Sequence, residues 1–274
     1  MSRRRGTLRA GDHAVITGGS SGLGEALAAE FLAHGVHVTI LARREQPLLD
    51  AASRLGAAGH AATVSTQVAD VTDAAQLAEA FAAMSSAGRH VDVLVNSAGI
   101  LREGHFETLP PSDFTDVMAV NFHGTVDVIR AALPSLQRRR GRIVNVASVA
   151  GLMGVFGYTP YAAAKHALVG FTNSLRYELE PQGIRVHLVC PGEFDSPMVA
   201  ALDQDRTPEN RAHTLTIPKS TPEAVARDTL RGIQRGRELI VPGRQAALAV
   251  LGQRLAPSVG AVIAKRRIAA ASSR

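Results

Sequence analysis

The stretch SVAGLMGVFGYTPYAAAK, Ser148 to Lys165, holds three side chains whose types and spacing suit proton transfer. Ser148 comes first, Tyr161 thirteen residues later, and Lys165 four residues after the tyrosine. Ala162, Ala163 and Ala164 fill the gap between tyrosine and lysine, and alanine is the strongest helix former. Four apart on a helix is one turn, so phenol and ammonium share a face. A free phenol keeps its proton to about pH 10. An ammonium beside it favours the phenolate and is expected to lower that value. A phenol tuned in this way can pass a proton to or from a substrate oxygen near neutral pH. A serine hydroxyl at its side would hold that oxygen. An incidental Tyr and Lys on a surface helix have the same spacing, so the trio takes its meaning from the rest of the chain.

A second group of residues lies near the start. Thr17-Gly18, Gly22 and Gly24 form TGxxxGxG, with Ser20, Ser21 and Leu23 inside it, between an apolar run and a helical pattern. Glycines let the backbone approach a pyrophosphate, and a helix N-terminus favours its charge. The next apolar run ends Leu41-Ala42-Arg43-Arg44. An acid at that place would take a ribose 2′-hydroxyl, whereas arginine accommodates a 2′-phosphate. Arg43 and Arg44 therefore predict NADP(H) over NAD.

These groups need a scaffold. Short apolar runs predict strands at Ala14–Ile16, His37–Ala42, Ala62–Val68, Val91–Val95, Arg142–Ala147, Ile184–Cys190 and Leu239–Val241. Helical patterns alternate with them: the stretch from the glycine turn to Gly35, then Gln46–Leu55, Asp73–Ala87, Pro111–Arg139, Thr159–Leu179 and Thr221–Gln234. Pro134 is expected to bend the long fourth helix or split its end. Strict alternation predicts an α/β fold: one doubly wound, Rossmann-type parallel sheet with helices on both faces. Neither repeat nor linker divides it, so residues 1–243 read as one domain, followed by a tail, 244–274.

The 274 residues are 46% hydrophobic and 4% aromatic, with no tryptophan, so aliphatic side chains must fill the core. The single Cys190 leaves no disulfide framework and suits a reducing, cytoplasmic setting. No apolar run follows MSRRRG and no uncharged apolar stretch of about 18 residues occurs, so neither a signal peptide nor a spanning helix is expected. The formal charge is +6, with clusters at Arg3–Arg5, Arg138–Arg140 and Lys265–Arg267. They lack aromatic interleaving, which argues against a nucleic-acid partner, and the ten histidines lack metal-site spacing, so no metal is expected.

Taken together, Ala10 to Val241 resembles the short-chain dehydrogenase/reductase family. TGxxxGxG stands at Thr17–Gly24, the family's adenine-contacting Asp-Val at Asp70-Val71, and its NNAG at Asn96-Ser97-Ala98-Gly99. AVNFHG supplies the family asparagine as Asn121, and Ser148, Tyr161 and Lys165 match its catalytic trio. PGEFDSPM, Pro191 to Met198, stands for the loop that meets the nicotinamide, giving Pro191, Gly192, Phe194 and Ser196. The stretch Gly151–Lys165, with the segment leading to it, is similar to the matching part of 3-ketodihydrosphingosine reductases. The resemblance implies hydride transfer between a nicotinamide and a carbonyl carbon. Tyr161 would be the acid, Lys165 would tune it and hold the nicotinamide ribose, Ser148 would orient the substrate, and Asn121 would hold a backbone kink and a water leading to Lys165. It further implies a long-chain lipid ketone as substrate and a homodimer or homotetramer. A small or steroid-like ketone, and a non-catalytic NADP-binding redox sensor, remain as alternatives. A serine hydrolase lacks its GxSxG elbow here.

Two segments stay open. Phe194–Pro218 would cap the substrate, with Met153, Val155 and Phe156 beginning an apolar channel. The tail AALAVLGQRLAPSVGAVIAKRR is apolar, interrupted by Gln253, Arg254 and Pro257. It could pack over the cleft, meet another subunit, lie on a membrane surface or remain disordered.

Overall fold

The computed structural model of this chain describes residues 8–215 and 218–272. The Arg3–Arg5 cluster lies outside the described residues, as do two positions of the expected capping segment. In chain order the elements are β1 (His13–Thr17), α1 (Gly22–Ala33), β2 (His37–Ala42), α2 (Glu45–Gly56), β3 (Val64–Val68), α3 (Ala74–Ser86) and β4 (Val93–Asn96). Then come α4 (Pro111–Met118), α5 (Gly124–Arg139), β5 (Arg142–Val146), α6 (Thr159–Leu179) and β6 (Arg185–Val189). The last are α7 (Pro197–Asp205), α8 (Pro208–Thr214), α9 (Pro222–Gln234), β7 (Leu239–Ile240), α10 (Arg244–Leu255) and α11 (Pro257–Ser272).

The seven strands form one parallel sheet in the order β3-β2-β1-β4-β5-β6-β7. Strands buried on both faces must be apolar throughout, and β1 is buried at all five positions. Its side chains alternate. Ala14 and Ile16 join a core with Leu27 and Phe31 of α1 and Leu230 and Ile233 of α9. Val15 joins the opposite core, with Leu77 and Phe81 of α3 and Val128 and Leu136 of α5. Chain order reverses between β1 and β4, so a crevice opens at the carboxyl ends of those strands, where ligands of such sheets bind.

The long helical pattern from Pro111 departs from expectation. α5 continues through Pro134 to Arg139, and the winding changes instead at a π-turn, Ala119–His123. A π-turn inserts one residue into the helical ladder, and the residue at its centre is Asn121. The tail is helical. α10 and α11 meet at a 113° elbow, and among the described residues no single helix is long and apolar enough to cross a membrane.

Candidate active site

A cavity of about 740 Å³ runs along the carboxyl ends of β1 to β6. Its first half is built by glycine. Gly18 (φ 66°) passes so close to the β4 end that a Cβ would sit 2.9 Å from the Ala98 backbone. A Cβ on Gly24 would lie 2.3 Å from Gly18 O, so α1 can start against the turn only as glycine. Ser20, Ser21, Gly22, Leu23 and Gly24 line the cavity. The N-cap Ser21 makes no side-chain cap hydrogen bond, which leaves the first N–H groups of α1 pointing outward without that partner. Oriented N–H groups above a cradle with no Cβ suit a pyrophosphate, so the residues present fit a dinucleotide.

Thr17 and Asn96 are placed behind this surface, not in it. Thr17 is buried, and its Oγ1 accepts from the Ser97 and Ala98 amides at 3.1 Å each, tying β1 to the β4 loop. Asn96 is also buried, and its Nδ2 donates to Asn145 Oδ1 at 2.9 Å. Asn145 in turn donates to Thr172 of α6. The Asn96 amide thus braces β4, β5 and α6, while its neighbours Ser97, Ala98 and Gly99 line the cavity. Asp70, Val71 and Arg43 also line it, whereas the exposed Arg44 leads into α2 without reaching the cavity. Arg43 lies 3.6 Å from Asp70. Burial works against the Asp70 carboxylate, but hydrogen bonds from Thr72 and the Arg43 cation keep its carboxyl below the usual range.

The second half gathers the proton-transfer residues. Ser148 follows β5 and caps a short turn by accepting from the Ala150 amide at 3.1 Å. Tyr161 lies in the first turns of α6, with Lys165 one turn later, and all three side chains line the cavity. The Ser148 hydroxyl lies near the Tyr161 phenol and favours its ionised form. Lys165 is buried. Its Nζ donates to Val146 O at 2.9 Å and lies over the Tyr161 ring, 5.6 Å from the centroid. The expected lowering of the Tyr161 pKa is not found. Burial pushes this phenol up to about 12, partly offset by the nearby Ser148 hydroxyl, and brings Lys165 down to about 8. The ammonium sits over the ring, 5.6 Å from its centroid, and does not outweigh desolvation.

Asn121 is fully buried and outside the cavity wall. Its Oδ1 accepts from the Ile100 amide at 2.8 Å and its Nδ2 donates to Ile100 O at 2.9 Å. These bonds pin the π-turn to the loop after β4. A Cβ on Gly99 would lie 3.1 Å from Asn121 Oδ1 and 3.8 Å from Lys165 Nζ, so Gly99 separates the two by a single backbone layer.

Pro191, Gly192, Phe194 and Ser196 line the cavity after β6. Ser196 also caps α7 by accepting from the Val199 amide at 3.2 Å. Helices α7 and α8 form the cover. Thr207 Oγ1 donates to Glu103 Oε1 at 2.6 Å, and Asn210 Nδ2 donates to Phe156 O at 2.6 Å. Met153 and Val155 reach the cavity as expected, but Phe156 does not: its ring packs edge-on against His105, 5.4 Å away. Sequence reading missed Tyr158 and Glu193, which both line the cavity, whereas the tail packs over the cleft, one of its expected placements, and completes the wall. Ala249, Gly252, Ala256, Val259, Gly260 and Ile263 stand there with Arg267. A small or apolar residue every three or four positions was the available signal.

The short chain dehydrogenase family matches residues 12–207, and this chain belongs to it. The 3-ketodihydrosphingosine reductase of Bos taurus is 35% identical over 230 residues, which is 82% of this chain and 69% of that protein. Among solved structures, a short chain dehydrogenase/reductase from Burkholderia phymatum in complex with NAD superposes with a TM-score of 0.79 at 26% identity, covering 91% of this chain and 95% of that one. The actinorhodin polyketide ketoreductase with NADPH reaches 0.76 at 31% identity, over 86% and 97%.

Proposed function

We propose that this chain is an NADP(H)-dependent oxidoreductase that interconverts a ketone and a secondary alcohol, reducing a long-chain lipid ketone of which 3-ketosphinganine is the leading candidate. The observation that carries this reading is that Ser148, Tyr161 and Lys165 line the same cavity as the glycine turn of β1–α1. A bound nicotinamide supplies or accepts the hydride. The chain supplies the rest. Ser148 hydrogen-bonds the carbonyl oxygen, and Tyr161, which holds its proton throughout the neutral range, donates that proton to it. Lys165, charged below about pH 8, holds the nicotinamide ribose and favours proton loss from Tyr161 at the moment of transfer. Asn121 fixes the backbone that positions Lys165. Arg43 meets a 2′-phosphate, with Arg44 adding charge outside the cavity.

The lipid reading draws on the reductase relatives and on the tail. Its cavity side is mostly apolar, and away from that wall it exposes Leu248, Leu251, Leu255 and Val262, with Lys265 and Arg266 following in the same helix. That combination suits peripheral contact with an anionic lipid surface. Assembly through the long helices α5 and α6, as a homodimer or homotetramer, completes the reading.

The test is a chain-length series of ketones with NADPH and NADH. Each buried methylene contributes about 0.8 kcal/mol, so kcat/KM should climb with chain length until the cavity is full. NADPH should be preferred, and Arg43→Ala should cost about ten- to a hundredfold with NADPH while leaving NADH use unchanged. Short ketones turning over as well as long ones would sink the lipid substrate. Equal use of the two cofactors would sink the NADP assignment.

A further inference from the structure

Beneath the cover, apart from the catalytic trio, four charged side chains meet: Glu193, Asp203, Arg206 and Lys219. Arg206 stands in extended backbone at the break between α7 and α8, its side chain fully buried. Its Nη2 donates to Glu193 Oε2 at 2.8 Å and to Tyr158 Oη at 3.4 Å. Its Nε lies 3.4 Å from Asp203 Oδ1. Lys219 closes the ring, 3.4 Å from Glu193 Oε1 and in contact with Asp203 Oδ2. Apolar side chains of the same volume would hold a cover at least as firmly, because buried ion pairs contribute little net stability. What a fixed guanidinium adds is direction.

That direction is imposed on Tyr158. The residue is 6% exposed, borders the cavity, and packs edge-on against Tyr161 with ring centroids 5.7 Å apart. A guanidinium can only donate. The Tyr158 oxygen therefore accepts from Arg206, which leaves its own hydrogen free to donate to another group, and the residue borders the cavity. The trio already accounts for the ketone oxygen, so a second donor here addresses a second group.

We propose that Tyr158 is a further substrate-binding residue, whose hydroxyl, oriented by Arg206, donates to an oxygen or nitrogen acceptor carried close to the ketone carbonyl. This rests on the ketone-reductase reading and narrows it to an apolar chain with a second acceptor beside the reacting carbon, as in a 3-oxo ester or a hydroxy ketone. Arg206 is a positioning residue in this scheme, and Glu193, Asp203 and Lys219 fix its charge and angle.

A matched pair of substrates tests it: a long-chain 3-oxo ester and a plain ketone of the same chain length, with NADPH. Tyr158→Phe keeps the ring and removes the donor. It should raise KM for the oxo ester about three- to tenfold, with kcat and both constants for the plain ketone unchanged. Arg206→Met should give the same selective loss, and Arg206→Lys should recover part of it. Dissociation constants of the two ketones from the complex with oxidised cofactor should show the same selectivity without turnover. Tyr158→Phe affecting both ketones alike, as a purely structural role would, or affecting neither, would overturn the proposal. Wild-type protein that neither binds nor reduces either ketone would overturn the lipid-ketone reading itself, and this proposal with it.

Discussion

At Tyr161 and Lys165 one cause, burial, acts in opposite directions. Desolvation penalises the charged form, so the phenol rises to about 12 and the ammonium falls to about 8. A general acid that stays protonated and a cation that titrates near neutrality follow. As pH rises through about 8, Lys165 loses its charge, and affinity for the dinucleotide should weaken across that range. A fluorescence titration with NADPH at successive pH values reads this, and a flat profile across pH 8 contradicts it. Tyr161→Phe should lose about a hundredfold or more in kcat while NADPH still binds, and wild-type turnover in that variant would remove Tyr161 from the mechanism. Spacing in the sequence placed phenol and ammonium on one helix face, and they are there. It carried no information on solvent, so the expected lowering of the phenol was wrong in sign. The side-chain partner of Asn96 was illegible for a related reason. A motif puts it at the right place on the chain, but Asn145, which takes its side chain, comes from another strand.

Strands and helices with a clear period were legible from the sequence almost residue by residue, since apolar spacing is set by which face must be buried. Elements whose conformation depends on a distant partner were not. The π-turn at Ala119–His123 has no local signature, because the bonds that hold it run from Asn121 to Ile100 across the crevice. Pro134 looked like the natural breaking point and is carried within α5 instead. The tail's place over the cleft was among the expected ones, but the shapes of cover and tail were opaque, because α8 and α11 are shaped by packing on each other. Helix α11 has no buried residue, yet it supplies Val259, Gly260, Ile263 and Ala264 to the cavity wall. Truncation after Leu255 should therefore leave the melting temperature nearly unchanged while raising KM for long-chain ketones and sparing short ones. Sedimentation with anionic liposomes should fall in parallel. Unchanged KM across the chain-length series would mean that α11 does not touch substrate.

On the scale of the whole molecule, the sheet carries two buried groups that tie its stability to conditions. His187 of β6 donates from Nδ1 to Arg237 O at 2.6 Å, which leaves its other ring nitrogen buried without a partner. Burial, with Arg142, Arg185 and Arg176 nearby, pushes its pKa down from 6.5 to about 4. The unfolded chain binds the proton first as pH falls, so His187 withdraws stability between about pH 6.5 and 4, on the order of 3 kcal/mol in all. His187→Gln should flatten that part of a denaturation-versus-pH curve, and a slope equal to the wild type's would assign the acid sensitivity elsewhere. The second group is Cys190, just past the end of β6. It is fully buried beside the Ser148 backbone and Lys165, and burial raises its thiol to about 12. Alkylating reagents act on exposed thiolates, so folded protein should stay active in iodoacetamide for as long as this end of the sheet stays closed. Being the single cysteine in the chain, it is a built-in clock: the rate of its labelling counts how often the floor of the active site opens.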